Sequence, residues 1–314
     1  VAGSNPAAPT IKMEKDQIII IGGGIIGLAT ANALLDRGEK VLVLEKNSDT
    51  ATAASFANAG MLTPSQSTPW NSPSDIFYIL SGIGRKNSPM SLSPGAIPSY
   101  LSWGLRFILN STPSRFERIS KSIFSLAKYS KDLTEKIRNS EEFSYEESTE
   151  GTLKLFREAE RLQKAIDLSN RIYGESNSIE VLNQKQTIEL EPALNKVRKG
   201  LVGAIHYKDD EIGDAYKFCK SLEESIRNKG GRILVNTNIK KILLNKRKVN
   251  SVVTDRAVLR AKRVIVCAGS WSPILLKELG IKIPIKPVKG YSLTYNTAGL
   301  KNTPNLSVID ESIH

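Results

Sequence analysis

Cysteine and histidine are both scarce in this chain of 314 residues, which has two of each. Cys219 and Cys267 lie far apart, so they provide neither a disulfide framework nor the spacing of a zinc site. His206 and His314 leave little for a histidine metal site or a Ser-His-Asp triad. We therefore expect no resident metal, and the sequence pattern identifies no catalytic residue.

The sequence also lacks a convincing membrane span or signal peptide. Residues 18–35 hold no charge, but the three consecutive glycines at 22–24 and the polar Asn32 are poorly suited to a span. No small-residue cleavage site precedes a plausible mature domain. We expect a soluble, cytoplasmic chain.

Acidic residues are fewer than basic ones, and the formal net charge is +12. Such a charge would suit nucleic acid, anionic lipid or an acidic partner. The lysines and arginines are spread along the chain, which favours ordinary solvated surfaces, so we expect no nucleic-acid partner. The length is sufficient for one large or two ordinary domains.

A glycine motif directly follows a short apolar run. Residues 17–21 (QIIII) have the β-branched character of a strand that is buried on both faces. Gly22, Gly24 and Gly27 follow with the spacing GxGxxG. In a nucleotide-binding turn, the first glycine permits the tight turn, the second lets the backbone approach a pyrophosphate, and the third lets helix and strand pack closely.

The context of this motif predicts a dinucleotide-binding βαβ unit. A helical pattern runs from Gly27 to Asp36, and Val41–Leu44 forms a second apolar strand. That strand ends on Glu45, eighteen residues after Gly27. A carboxylate at this place accepts hydrogen bonds from free ribose hydroxyls, which favours FAD or NAD over NADP.

The rest of the chain predicts an α/β fold with two domains. Residues 241–259 read as a small β-meander, and residues 264–271 as another buried parallel strand that ends in small residues. Residues 116–138 have the pattern of a long helix. Residues 151–157 alternate with period two, which predicts a strand with one wet face. This change of pattern indicates a second α+β domain with an antiparallel sheet.

Two segments allow two interpretations each. Residues 51–64 are rich in small side chains and hydroxyls, so they either lie flat against a cofactor or begin a tightly packed helix. Residues 76–80 are apolar and are soon followed by Arg85 and Lys86. This segment either contacts a membrane surface or forms a short helix that closes the core.

Several motifs resemble one enzyme family closely. They are SFANAG at 55–60, the Pro-Trp pair at 69–70, GTLKLFR at 151–157 and PVKGYSLT at 287–294. Together with the glycine motif and Glu45, they resemble the FAD-dependent D-amino-acid dehydrogenases of the small-subunit type, in the D-amino-acid oxidase and glycine oxidase superfamily. Met61 departs from the polar residue usual in these dehydrogenases and is reminiscent of glycine oxidases.

The resemblance implies FAD as the cofactor and a set of residues around it. Residues 287–294 would begin a strand of the second domain, and Tyr291 would either point at the substrate or pack against a neighbouring strand. The cofactor-binding residues implied in this way or by the βαβ unit are Gly22, Gly24, Ile25, Ile26, Gly27, Glu45, Lys46, Ser55, Asn58, Ala59, Gly60, Met61, Ile239, Ala268, Gly269, Trp271 and Gly290.

The resemblance also implies a domain organisation. The FAD-binding domain would comprise residues 13–141 and 208–283, and the substrate domain residues 142–207 and 284–314. Residues 1–12 are small, proline-rich and aperiodic, so we expect a non-native or disordered leader. The family continues for about another hundred residues, so the C-terminal third, with its carboxylate-binding arginine, is expected to be missing.

The implied reaction is the oxidation of a D-amino acid by hydride transfer to FAD, followed by hydrolysis to a 2-oxo acid and ammonia. Electrons would pass to a quinone or a carrier, with a possible peripheral contact at the inner face of the cytoplasmic membrane. Alternatives are a glycine- or sarcosine-oxidase-like amine oxidase, a flavin module acting on tRNA-linked amines, and a non-catalytic truncated fragment.

Overall fold

A computed structural model of the chain describes residues 16–72, 97–174 and 179–310. The chain divides into two compact units, and both are discontinuous in sequence. The first unit comprises Val1–Asn58 and Ala215–Ser292, and the second comprises Ala59–Asp214 and Leu293–His314. The expected leader, the apolar segment 76–80 and the basic pair that follows it lie outside the described residues.

The described residues form thirteen strands and seven α-helices. The strands are β1 (Ile18–Ile21), β2 (Val41–Leu44), β3 (Met61–Leu62), β4 (Thr152–Phe156), β5 (Ile179–Asn183), β6 (Gly203–Tyr207), β7 (Glu211–Ile212), β8 (Arg232–Leu234), β9 (Ile239–Asn245), β10 (Lys248–Thr254), β11 (Val258–Arg260), β12 (Arg263–Val266) and β13 (Ser307–Asp310). The helices are α1 (Ile25–Leu35), α2 (Ile97–Leu109), α3 (Pro113–Glu141), α4 (Ala159–Tyr173), α5 (Gln184–Leu190), α6 (Ala215–Asn228) and α7 (Ser272–Lys277).

The first unit is built on a parallel sheet with the strand order β12-β1-β2-β8. All residues of β1 and β2 are buried, as expected for central parallel strands. On one face Ile19 and Leu42 pack against the antiparallel meander β9-β10-β11, which contributes Val252 and Leu259. Helix α1 contacts β1 and β2, and it places the buried Leu28 in the core. The predicted βαβ unit and meander are therefore both present.

The second unit contains a four-stranded sheet with the order β13-β4-β6-β5. Strand β6 pairs antiparallel with both β4 and β5, and β13 joins β4 in parallel. One face carries an aromatic cluster in which the rings of Phe124 and Tyr173 lie 4.4 Å apart between centroids. The other face packs Leu153 and Leu155 against Leu194. The sheet therefore has apolar cover on both faces.

Two features of this unit differ from the sequence-based expectation. Neither face of strand β4 is exposed to solvent, because its side chains enter a different apolar cluster on each face. Strands β13 and β6 flank it within the sheet. The long helix α3, expected with the first domain, falls within the second unit, as do the described residues between 59 and 141 and residues 208–214. The reason lies in Phe116 and Phe124, which pack into the aromatic cluster with Tyr207 of β6.

The expected strand over residues 287–294 is not formed in the structure. They have no strand partner among the residues that the structure describes, and Tyr291 is 86% exposed. A period-two apolar pattern needs a neighbouring strand before it becomes a strand.

Among the described residues, no helix is both long enough and apolar enough to cross a membrane.

A buried polar network holds the second unit together around Asp210. Its carboxylate accepts hydrogen bonds from the hydroxyls of Ser65 and Thr152 and from the Ser65 amide. The Tyr173 hydroxyl donates to the Ser65 carbonyl at 2.6 Å. Burial raises the pKa of Asp210, and these hydrogen bonds only partly offset that effect. The network therefore joins the loop after β3 to β4, α4 and the turn after β6.

We expect Asp210→Asn to alter the pH dependence of stability. Because the folded-state pKa is raised, the carboxyl group stabilises the fold fully below the unfolded pKa of about 3.9, and this stabilisation is lost as pH rises through the folded pKa. The Asn amide can bond both hydroxyls without titrating. Urea unfolding should therefore show Asp210→Asn gaining stability relative to the wild type as pH rises from 4 to 7.

Asp210→Ala provides the contrast, because it leaves three donors without their acceptor. It should lower the free energy of unfolding by about 3 kcal/mol. A stability difference between Asp210→Asn and the wild type that does not change with pH would contradict the raised pKa.

Candidate cofactor-binding site

The turn after β1 brings three backbone segments unusually close. Gly22 has a φ of 112°, and its amide donates to the Leu44 carbonyl at 2.9 Å. A β-carbon on Gly22 would lie 2.4 Å from the carbonyl oxygen of Cys267, which follows β12. A β-carbon on Gly27 would lie 1.9 Å from the Gly22 carbonyl oxygen. Only glycine fits these two positions, so the motif sets the spacing between β1, α1 and β12.

Helix α1 presents its N-terminus at this turn. The first amide bonded within the helix is that of Leu28, which donates to the Gly24 carbonyl at 3.0 Å. The Ile25 amide instead donates to the Ser55 hydroxyl oxygen at 3.1 Å. Earlier amides of a helix have no acceptor inside it, so this end favours an anionic group. Ser55 is buried, and its hydroxyl proton remains available to a further acceptor.

The Glu45 carboxylate is oriented by backbone amides. One oxygen accepts from the Gly23 amide at 2.7 Å and the other from the Asn47 amide at 2.9 Å. A carboxylate has about four lone-pair sites, so roughly two remain for a ligand. Glu45 is only 8% exposed, and no cation within the described residues forms a salt bridge with it. The geometry suits the acceptance of hydrogen bonds from neutral hydroxyl groups.

The chain after β12 forms the opposite wall. Ala268 leads into a 3₁₀ turn over Gly269–Trp271, and α7 follows directly. The Lys46 ammonium lies 4.0 Å from the centroid of the Trp271 ring, an arrangement typical of a cation–π contact. Burial raises the pKa of the Cys267 thiol, which keeps this group neutral beside the glycine turn.

These elements enclose a cavity of about 910 Å³ within the first unit. This volume lies in the range of about 300–1,000 Å³ that is typical of ligand sites. The structure brings eleven of the predicted cofactor residues to its wall, namely Gly22, Gly24, Ile25, Ile26, Glu45, Lys46, Ser55, Ile239, Ala268, Gly269 and Trp271. The glycine cradle, the helix end and the carboxylate together fit the ADP half of FAD.

The other predicted residues lie elsewhere. Gly27 packs behind the turn, and the Asn58 amide nitrogen donates to the Ala54 carbonyl at 3.2 Å. Ala59, Gly60 and Met61 belong to the second unit, where Met61 pairs with Ile212 of β7. Gly290 and Tyr291 lie in the exposed segment without a strand. Their predicted roles at the flavin or the substrate stay predictions.

The cavity also has walls that sequence reasoning missed. Asn47, Asn238, Lys240, Cys267, Ser270, Ile274, Leu275 and Glu278 line it. Residues 51–54 line it as well, and they begin no helix, which agrees with the first of the two interpretations of the small-residue segment. Two of the positions carried a signal, because Ile274 and Glu278 follow Trp271 by three and seven residues. That spacing places them on one face of a helix with Trp271.

The acidic turn at residues 209–214 is occupied by protein contacts. Asp210 belongs to the hydrogen-bond network of the second unit, and Glu211 forms salt bridges with Arg138 at 2.7 Å and Lys131 at 3.2 Å. In the described ranges, no group of three His, Cys, Asp or Glu side chains is placed to hold a metal ion.

We expect Gly22→Ala to destabilise the first unit far more than Gly38→Ala. Both glycines have positive φ, but an added β-carbon would meet nothing within 4 Å at Gly38. Gly38→Ala should therefore cost only the conformational strain, about 1 kcal/mol. Gly22→Ala adds the collision with Cys267 and should cost about 3 kcal/mol or more. Urea unfolding compares the two, and equal losses would contradict the close approach at Gly22.

Comparison with known proteins is consistent with this geometry. The family described as "DAO: FAD dependent oxidoreductase" matches residues 17–312. A D-amino acid dehydrogenase of Vibrio cholerae serotype O1 is 34% identical over 297 residues, covering 94% of this chain and 70% of that protein. A D-amino acid dehydrogenase of Rhizobium johnstonii is 34% identical over 296 residues, with 94% and 71% covered.

Among solved structures, glycine oxidase from Bacillus cereus superimposes with a TM-score of 0.57 at 22% identity. The match covers 84% of this chain but only 58% of that oxidase, and at this identity it shows a shared fold. The family match spans both units and nearly the whole chain. The chain therefore belongs to the DAO family of FAD-dependent oxidoreductases, whose cofactor is FAD.

Proposed function

We propose that this chain belongs to an enzyme that oxidises D-amino acids. The observation that carries the proposal is the 34% identity with D-amino acid dehydrogenases, which extends over 94% of the chain. In the overall reaction the substrate loses two electrons and two protons to an acceptor. The resulting imine takes up water and yields a 2-oxo acid and ammonia. When bound, FAD supplies the group that accepts the hydride from the Cα atom.

The residues of the first unit have separate roles in holding FAD under this proposal. Glu45 accepts hydrogen bonds from the adenosine ribose, and the start of α1 with Ser55 holds the diphosphate. Ile239 lies at the adenine, and Ala268 and Gly269 let the backbone approach the nucleotide closely. The support is that all of these residues line the same cavity. The chain contributes the orientation of the cofactor and the exclusion of water. The substrate's amino group must arrive neutral.

We further propose that the electrons pass to a quinone or to a carrier protein. The support is the designation of the relatives as dehydrogenases. A peripheral contact with a membrane surface would bring the enzyme to a quinone pool. Helix α2 supports such a contact, because Leu101, Leu105 and Ile108 are exposed beside the exposed Arg106.

Glu45→Gln should weaken FAD binding about tenfold or more. The substitution removes the charge and one of two acceptor oxygens, and hydrogen bonds to charged groups contribute about 1.5–3 kcal/mol each. Equilibrium dialysis or flavin fluorescence measures the dissociation constant. Glu224→Gln on α6 is the matched control, because Glu224 is exposed and does not line the cavity. Equal affinity of the two variants would remove Glu45 from the site.

The proposed reaction is tested by anaerobic spectroscopy of the purified chain reconstituted with FAD. Addition of mixed D-amino acids should bleach the visible flavin band, whereas L-amino acids should not. Colour should then return with a water-soluble quinone analogue faster than with oxygen. A flavin band that D-amino acids leave unchanged, or that L-amino acids bleach equally, would contradict the activity for this chain. Rapid hydrogen peroxide formation would favour a glycine- or sarcosine-oxidase-like activity.

A further inference from the structure

The loop that lines the cavity next to Glu45 contains a strained residue. Ala51 has a φ of 58°, in the left-handed region that residues with a β-carbon rarely adopt. It is nevertheless buried, and its amide donates to the Gly23 carbonyl at 2.9 Å. Such a conformation persists only where the surrounding contacts enforce it. The loop must therefore be held from outside the cavity.

Helix α6 provides that hold through a compact polar cluster. The Thr50 hydroxyl, which is fully buried, donates to the Glu223 carboxylate at 2.5 Å. The Lys220 ammonium donates to Asp49 at 2.5 Å, to Thr50 at 3.2 Å and to Glu223 at 3.0 Å. All three donor directions of the ammonium are thus used. Tyr216 of the same helix adds a hydrogen bond to Asp49 at 3.3 Å.

The charges make Lys220 the centre of this cluster. Asp49 and Glu223 accept from the same ammonium group, so their carboxylates lie close enough to repel each other without it. The hydrogen bond from Lys220 is the largest cause of the lowered pKa of Asp49. Arg227 also binds Glu223, at 2.8 Å, so removing the Lys220 ammonium would leave Asp49, and not Glu223, without its cation at the base of the loop.

The cluster reaches the cofactor cavity through Gly23. The Thr50 methyl group would lie 3.2 Å from a β-carbon on that glycine, so the loop packs directly on the glycine turn. The Gly23 amide in turn donates to the Glu45 carboxylate, and the Gly23 carbonyl accepts a hydrogen bond from the Ala51 amide. A movement of Thr50 would therefore displace both Glu45 and the segment that carries Ser55.

We propose that Lys220 is a positioning residue for FAD, which holds the loop of residues 49–55 in its binding conformation without touching the cofactor. The proposal rests on FAD as the cofactor of this family, but it does not depend on which amine is oxidised. Lys220 is separated from the cavity wall by Asp49 and Thr50. The role is thus distinct from those of Glu45 and Ser55.

The test compares Lys220→Met with Lys229→Met. Lys229 is similarly accessible and forms an ion pair in the same unit, but it bonds Asp36 at 2.7 Å and Asn32 at 2.9 Å on α1, away from the loop. Lys220→Met should raise the dissociation constant for FAD about tenfold, as expected for lost charge-assisted hydrogen bonds. Lys229→Met should change it less than twofold. Equal losses in the two variants, or none in Lys220→Met, would overturn the proposal.

A second measurement needs no cofactor. Hydrogen exchange of the apo-protein should be at least tenfold faster in Lys220→Met for the peptide over residues 49–56, but unchanged for peptides from α1. This readout separates the proposal from the proposed reaction, because it requires neither FAD nor substrate. Unchanged exchange in the loop would overturn the proposal even if the flavin band failed to respond to D-amino acids.

Thr50→Val supplies an independent variant should Lys220→Met fold poorly. Valine keeps the shape that packs on Gly23 and removes the hydroxyl that bonds Lys220 and Glu223. It should weaken FAD binding by a similar factor, and the double variant should lose less than the product of the two single losses. Full additivity would show that the two residues act separately and would overturn the proposed cluster.

Discussion

The close approach of Gly22 to the Cys267 carbonyl is the constraint on which the first unit depends. It fixes β12 beside β1 at the point where both strands end, and Gly27 then lets α1 begin directly above the turn. One consequence is a helix N-terminus that opens into the cavity, and another is the 3₁₀ turn that carries Trp271 to the opposite wall. A side chain at either glycine would separate these segments, and the cavity would lose two of its walls.

Much of this unit could be predicted from the sequence because its determinants are local. The buried strand, the glycine spacing and the acid at the end of β2 all fall between residues 17 and 45. The meander was also predictable, since each of its strands has its own apolar pattern. The loop at residues 49–55 was not, because its conformation depends on Lys220 and Glu223, about 170 residues further along the chain. Long-range polar contacts of this kind leave no periodic signal.

In the second unit, too, local patterns were predictable from the sequence and long-range contacts were not. Its long helix and strand β4 were predictable from periodicity, but the strand expected over residues 287–294 did not form. The grouping of α3 with this unit depends on the packing of Phe116 and Phe124 against Tyr173 and β6. The roles of the acidic residues at 209–214 depend on long-range contacts as well. Only the fold shows that Asp210 accepts from Ser65 and Thr152, and that Glu211 pairs with Arg138. A cluster of carboxylates in sequence was thus divided among separate structural roles.

The electrostatics of the cavity support the proposed role of Glu45 in selecting the cofactor, although the chain as a whole is basic. Within the part of the chain that the structure describes, Glu45 is held by amides and not by a cation, so its charge is not cancelled within the site. The nearby Lys46 lies over the Trp271 ring. An uncancelled carboxylate attracts neutral hydroxyl groups as hydrogen-bond donors, but it repels a phosphate at the same ribose oxygen. A free ribose is therefore favoured over a 2′-phosphorylated one, although the chain as a whole carries a net charge of +12.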